Sequence, residues 1–216
     1  MKKYTLVDFH QATFRNIIGP TETDEFDDLT DDPAARAYAH RAAETKNTLY
    51  DSVIDYIFSQ PFNENSRFSD GSFPAWYGAI DLKTTFYETI PHWKKTYIDA
   101  PQFLHPATKG RRSVFTVQCD AMLIDLRNHP FTKTNYKDSQ QIGTRFYQEG
   151  HPGLLAQSAR ISTGENIIIF QKKVLSSPAH HSDYIYEYDQ KAQTVSVRHA
   201  GSEKKLLVLD KDAIKW

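Results

Sequence analysis

The stretch RFSDGSFPAWYGAIDLKTTFYE runs from Arg67 to Glu88. It begins with an arginine in a polar, small-residue loop and ends with a carboxylate on an apolar, aromatic helical pattern. Such a pair could set a planar cation and an anion around one substrate. The same residues also read as ordinary turn, strand and helix, with Arg67 a solvent-exposed loop cation and Glu88 a solvated helix carboxylate.

Two further residues carry the same ambiguity. Ser158 follows GLLAQ at a strand end and precedes Ala159 and Arg160. Arg15 lies in TFRNII, where an arginine among apolar neighbours must be paired or contact an anion. The other reactive side chains point away from familiar sites. The closest histidine pair, His180 and His181, falls in SSPAHHSDY, which reads as a polar loop, and lacks the i, i+4 register of a helical zinc pair, so no metal site is expected. The one cysteine, Cys119, sits inside a strand pattern and reads as a buried filler. G-x-S-x-G, Walker A and G-x-G-x-x-G motifs are all absent, which argues against serine hydrolase, P-loop and dinucleotide-fold chemistry.

The elements that must position these residues follow from composition and pattern. A chain of 216 residues suits one domain. At 39% apolar and 13% aromatic it can build a core. A net charge of -1 carries no electrostatic footprint for nucleic acid. The start lacks an apolar signal segment and no run reaches a membrane span, so a soluble, cytoplasmic protein is expected. YTLVDFHQATFRNII reads as a strand. An acidic loop follows, then a long helix over about residues 34–59, with Asp32 as N-cap and Pro33 at its first position. AWYGAI reads as a short buried strand. DLKTTFYETIPHW reads as a helix capped by Asp81 and closed by Pro91. RSVFTVQCDAMLIDLRN reads as two strand-like runs, NYKDSQQIGTRFYQEG as a helix ending at Gly150, and GLLAQ and ENIIIFQKKVL as strands. Two or three alternating strands complete the chain. Strands and helices without regular βαβ repeats predict an α+β fold.

Taken in order, these segments resemble the RES domain, a family named for an Arg, a Glu and a Ser. Arg67, Phe68, Tyr77, Glu88, Gly153, Ser158, Arg160, Gly164, Asn166 and Phe170 follow the family's order over roughly residues 5–175. The chain departs from the family at FSDGSFPAW, where many members have WNSPGTPAL, and at Gln157, where Pro is common. It is also longer between Arg15 and Arg67, a helical insertion of about residues 21–62 in a single domain spanning 1–216.

The resemblance implies a compact α+β domain with a central, mostly antiparallel sheet similar to ADP-ribosyltransferase toxins. It implies a toxin-like enzyme that acts on NAD+ as substrate, needs no cofactor and pairs with an Xre-type helix-turn-helix antitoxin. Cleaving the nicotinamide–ribose bond builds positive charge on the ribose, which a carboxylate stabilises. Glu88 takes that role, with Arg67 and Ser158 completing the catalytic set. Arg15, Tyr77, Trp76, Arg160 and Asn166 are the expected NAD+-binding residues: Arg15 and Arg67 for the pyrophosphate, Tyr77 and Trp76 for stacking. Asn166 is also expected to hold the loop before the last core strand. Water, inorganic phosphate or a protein side chain could each accept the ADP-ribosyl group, giving a glycohydrolase, a phosphorylase or an ADP-ribosyltransferase. A non-catalytic binding module of the same fold is the alternative, and it predicts that Arg67, Glu88 and Ser158 do not converge. Homo- and hetero-oligomers are both compatible with the sequence.

Overall fold

Alternating side chains in TLVDFHQATFRNII place Phe9 and Thr13 inward and leave their neighbours outward, and this segment forms strand β1, Thr5–Ile18. It belongs to a computed structural model that describes residues 4–19, 32–35, 38, 53–59, 65–99, 109–129 and 136–214. The remaining strands are β2 (Trp76–Ala79), β3 (Lys109–Asp125), β4 (Gly153–Gln157), β5 (Glu165–Ile169), β6 (Leu175–Asp189), β7 (Thr194–His199) and β8 (Lys205–Leu209). Among the described residues the helices with assigned bounds are α1 (Asp55–Ser59), α2 (Leu82–Trp93) and α3 (Lys137–Gln148), and residues 33–35 are helical as well.

All eight strands join one sheet in the order β1-β2-β5-β4-β3-β6-β7-β8, and β1 also pairs with β3. The first five strands therefore close a ring, from which β6, β7 and β8 extend. Among the described strands only the β3–β4 pairing is parallel. This is the α+β, mostly antiparallel arrangement expected. One cluster is built from Phe9, Trp76, Val117, Leu123, Ile167 and their neighbours. A second packs α2 on β6, β7 and β8, and a third packs α3 on β4 and β5.

Several expectations need correction. The two strand-like runs around Cys119 are one continuous strand, β3, because apolar residues keep alternating through Cys119, Ala121 and Leu123. His180 and His181 lie within β6 rather than in a loop. Pro91 does not close its helix: α2 continues to Trp93, and the Lys94 N–H bonds to the carbonyls of Ile90 and Pro91. A π-helical turn, Lys94–Ile98, follows. Asp32 caps as expected, its Oδ1 accepting from the Ala34 N–H at 2.9 Å. Most of the helix expected over 34–59, and of the insertion over 21–62, lies outside the described residues. Among the described residues no helix is long and apolar enough to cross a membrane.

β8 is the last strand in the sheet order, and its free side is poorly suited to further pairing. It is short, starts with Lys205 and has a register shift against β7 between Val197 and Arg198.

Candidate active site

Asp81 sets the start of α2. Its Oδ1 accepts from the Thr84 N–H at 2.9 Å and its Oδ2 from the Thr84 hydroxyl at 2.6 Å. Phe86, Ile90 and Trp93 then anchor the helix on Tyr184, Tyr186 and Val197. That leaves Glu88 on the flank facing the end of β4 and the start of β5.

Two side chains from those strands fix its carboxylate. Ser158, just after β4, donates to Glu88 Oε1 at 2.6 Å, and Asn166 in β5 donates its Nδ2 to the same oxygen at 2.7 Å. The Ser158 hydroxyl has one proton and spends it on Glu88. Its lone pairs accept the N–H groups of Arg160 at 3.1 Å and Ile161 at 3.2 Å. Ser158 is therefore saturated as an orienting bridge. Glu88 Oε2 faces Arg160, whose Nε lies 3.9 Å away. The loop carrying Ser158 and Arg160 lies close against α2 because residue 164 is glycine: a Cβ there would meet the Thr84 hydroxyl at 2.2 Å.

Arg67 joins this group electrostatically. Burial lowers the pKa of its guanidinium, and Glu88 is the strongest charge opposing that shift. Tyr136 and Tyr77 act in the same sense as Glu88, while Arg160 adds to the lowering. Arg67 thus feels the charges of both Glu88 and Arg160, the pair that lies within 3.9 Å of each other.

Three expected ligand contacts take other roles. Strand alternation turns Arg15 to the opposite face of the sheet from α2. Its neighbour Asn16 bonds Thr85 of α2, whereas Arg15 lies over the Trp76 ring at 5.5 Å and donates to the Tyr77 carbonyl at 2.7 Å. Trp76 is fully buried, and its Nε1 donates to the Val53 carbonyl at 3.2 Å, so it offers no face for stacking. Tyr77 is half-buried. Its hydroxyl bonds Ser66 Oγ at 2.9 Å and accepts from the Phe68 N–H at 3.0 Å. Burial pushes its pKa up to about 12 against those two bonds, so it stays a neutral phenol that ties down the Arg67 loop.

Two participants escaped the sequence reading. Tyr136, just before α3, touches the Arg67 field. His92 lies one helical turn beyond Glu88, and that i+4 spacing was the available clue. Partial desolvation of its ring, together with Arg160, Lys95 and Arg112, pushes its pKa down to about 4. In the unfolded chain the imidazole takes up its proton near pH 6.5, before the folded protein does, so this group weakens stability as pH falls from about 6.5 to 4. NMR titration of His92 is expected to show a midpoint below 5. A midpoint near 6.5 would remove the cationic field assigned to this end of α2.

Clefts of about 370 Å³ beside Asp70 and α3 and about 340 Å³ beside His10, Arg127 and Glu165 lie elsewhere on the surface. Neither is lined by Glu88.

No curated protein sequence matches the chain. The RES domain matches residues 39–189, a span that takes in Arg67, Glu88, Ser158, Arg160 and Asn166 and leaves β1, β7 and β8 outside. With that match over more than half of its length, the chain belongs to the RES domain family.

Proposed function

We propose that this protein is an NAD+-consuming enzyme that cleaves the nicotinamide–ribose bond, and that a helix-turn-helix antitoxin of the Xre type neutralises it. The family's association with NAD+-related toxin function supports this reading. The observation that carries it is the Glu88 carboxylate, oriented through one oxygen by Ser158 and Asn166 and flanked on the other by Arg160.

Nicotinamide leaves NAD+ as a neutral base, so no proton donor is needed at the leaving nitrogen. Positive charge instead builds on the ribose. A carboxylate already held in place stabilises it without reorganising during the reaction. Oε1 is committed to its two donors, so Oε2 is the oxygen turned to substrate. Arg67, and Arg160 beside it, supply multi-donor cations for the pyrophosphate. Ser158 and Asn166 act by fixing Glu88.

The direct test incubates purified protein, free of antitoxin, with NAD+ and follows free nicotinamide with and without inorganic phosphate. Release in both buffers marks a glycohydrolase, and release only with phosphate marks a phosphorylase. Label from NAD+ retained on protein marks an ADP-ribosyltransferase. Absence of nicotinamide under every condition sinks the reading.

A further inference from the structure

We infer that helix α3 is the positioning element for Arg67, acting through Ser139 and Gly143; the catalytic half of this inference rests on the function proposed above. The Arg67 loop has no regular secondary structure, yet its backbone is held from two sides. From α3, the Ser139 hydroxyl donates to the Arg67 carbonyl at 2.6 Å and Gln140 Nε2 donates to the Ser66 carbonyl at 2.8 Å. Gln140 also bonds the Asn65 side chain. From β2, the Tyr77 hydroxyl bonds Ser66 and Phe68.

The closest approach is at Gly143. A Cβ at this position would lie 1.9 Å from the Phe68 carbonyl oxygen and 2.9 Å from its carbonyl carbon. Both are backbone atoms of the residue after Arg67, so no side-chain rotation relieves the overlap. Ser139 and Gly143 are one helical turn apart and so share a face. Phe68 is 1% exposed and packs with Phe146 in the cluster beneath α3. The side chain of residue 68 thus anchors the loop in the core while the carbonyls of 67 and 68 rest on the helix. The Arg67 guanidinium lies over the Phe68 ring at 5.7 Å and interacts electrostatically with Glu88 and Arg160.

A methyl group at position 143 must push the loop by more than about an ångström, enough to spoil the hydrogen bonds of Arg67 to a bound phosphate. Gly143→Ala and Ser139→Ala are therefore expected to raise KM for NAD+, by about 10-fold or more for Gly143→Ala and several-fold for Ser139→Ala, with smaller changes in kcat. In an Arg67→Ala background neither substitution should add a comparable loss, because the group being positioned is gone. Wild-type KM in folded Gly143→Ala, or losses that simply multiply with Arg67→Ala, would overturn the inference. Should Gly143→Ala fail to fold, Ser139→Ala, which removes one hydrogen bond, carries the cycle. A crystal structure of the variants reads the loop independently of turnover: Arg67 displaced from its wild-type place supports the positioning role even if wild type releases no nicotinamide, and an unmoved Arg67 refutes it.

Discussion

Glu88→Gln is expected to lower nicotinamide release from NAD+ by about 100- to 1,000-fold while leaving the fold intact. The substitution is nearly isosteric, and the structure shows why it isolates charge from shape. Glu88 Oε1 accepts from Ser158 and Asn166, and a glutamine carbonyl oxygen can accept both bonds in the same place. What disappears is the negative charge on the oxygen facing Arg160. Removing a preorganised electrostatic partner of a charged transition state costs about 10²–10³ in kcat. KM should change less, since the carboxylate acts on charge that develops only as the bond breaks. The thermal midpoint should fall by no more than a few degrees, because the main loss is a shared counter-charge for Arg67 and Arg160 in a part-exposed setting. Glu88→Ala, by contrast, strips both donors of their acceptor and confounds activity with local collapse. A Gln variant that keeps more than a tenth of wild-type turnover would take Glu88 out of the mechanism.

The elements around this site were legible because each obeys a local rule. Asp81 ahead of an apolar helix stripe reads as a cap and is one. β4 and β5 are short apolar runs bounded by polar turns, and they pair as neighbours. The order of Arg67, Glu88 and Ser158 was likewise visible, since family order is a property of the sequence. What it could not convey was direction. Arg15 and Asn16 are adjacent letters, yet strand alternation sends them to opposite faces, and only the ring closure of β1 onto β3 says which face meets α2. Asn166 was expected to serve substrate and hold a loop. Its contact with Glu88 arises from the β2–β5–β4 pairing, a long-range fact that no local pattern encodes. The α3 contacts on the Arg67 loop are of the same kind, since Ser139 lies 72 positions from the carbonyl it holds.

Trp76→Ala is expected to destabilise the protein by about 3–5 kcal/mol, the range for truncating a buried aromatic to alanine. Trp76 is 0% exposed and sits in the cluster formed by Phe9, Phe115, Ile167 and Ile169. Its ring lies against the backbone at Gly78, where a Cβ would meet it at 2.6 Å, so the surrounding wall has little slack to fill the void. Two further losses add to the cavity. The Val53 carbonyl loses its indole donor, and the Arg15 guanidinium loses the ring beneath it. A chain of this size shifts its melting temperature by about 2–4 °C per kcal/mol, so a fall of roughly 10 °C is the expected calorimetric result. Trp76→Phe retains most of the volume and should lose less, with KM for NAD+ close to wild type. A stacking role would give the opposite pattern: a raised KM in both variants and an unchanged melting temperature. The comparison therefore separates the two readings of one residue, because burial removes the ring from any ligand's reach while making it indispensable to the strands that carry Tyr77 and Asn166.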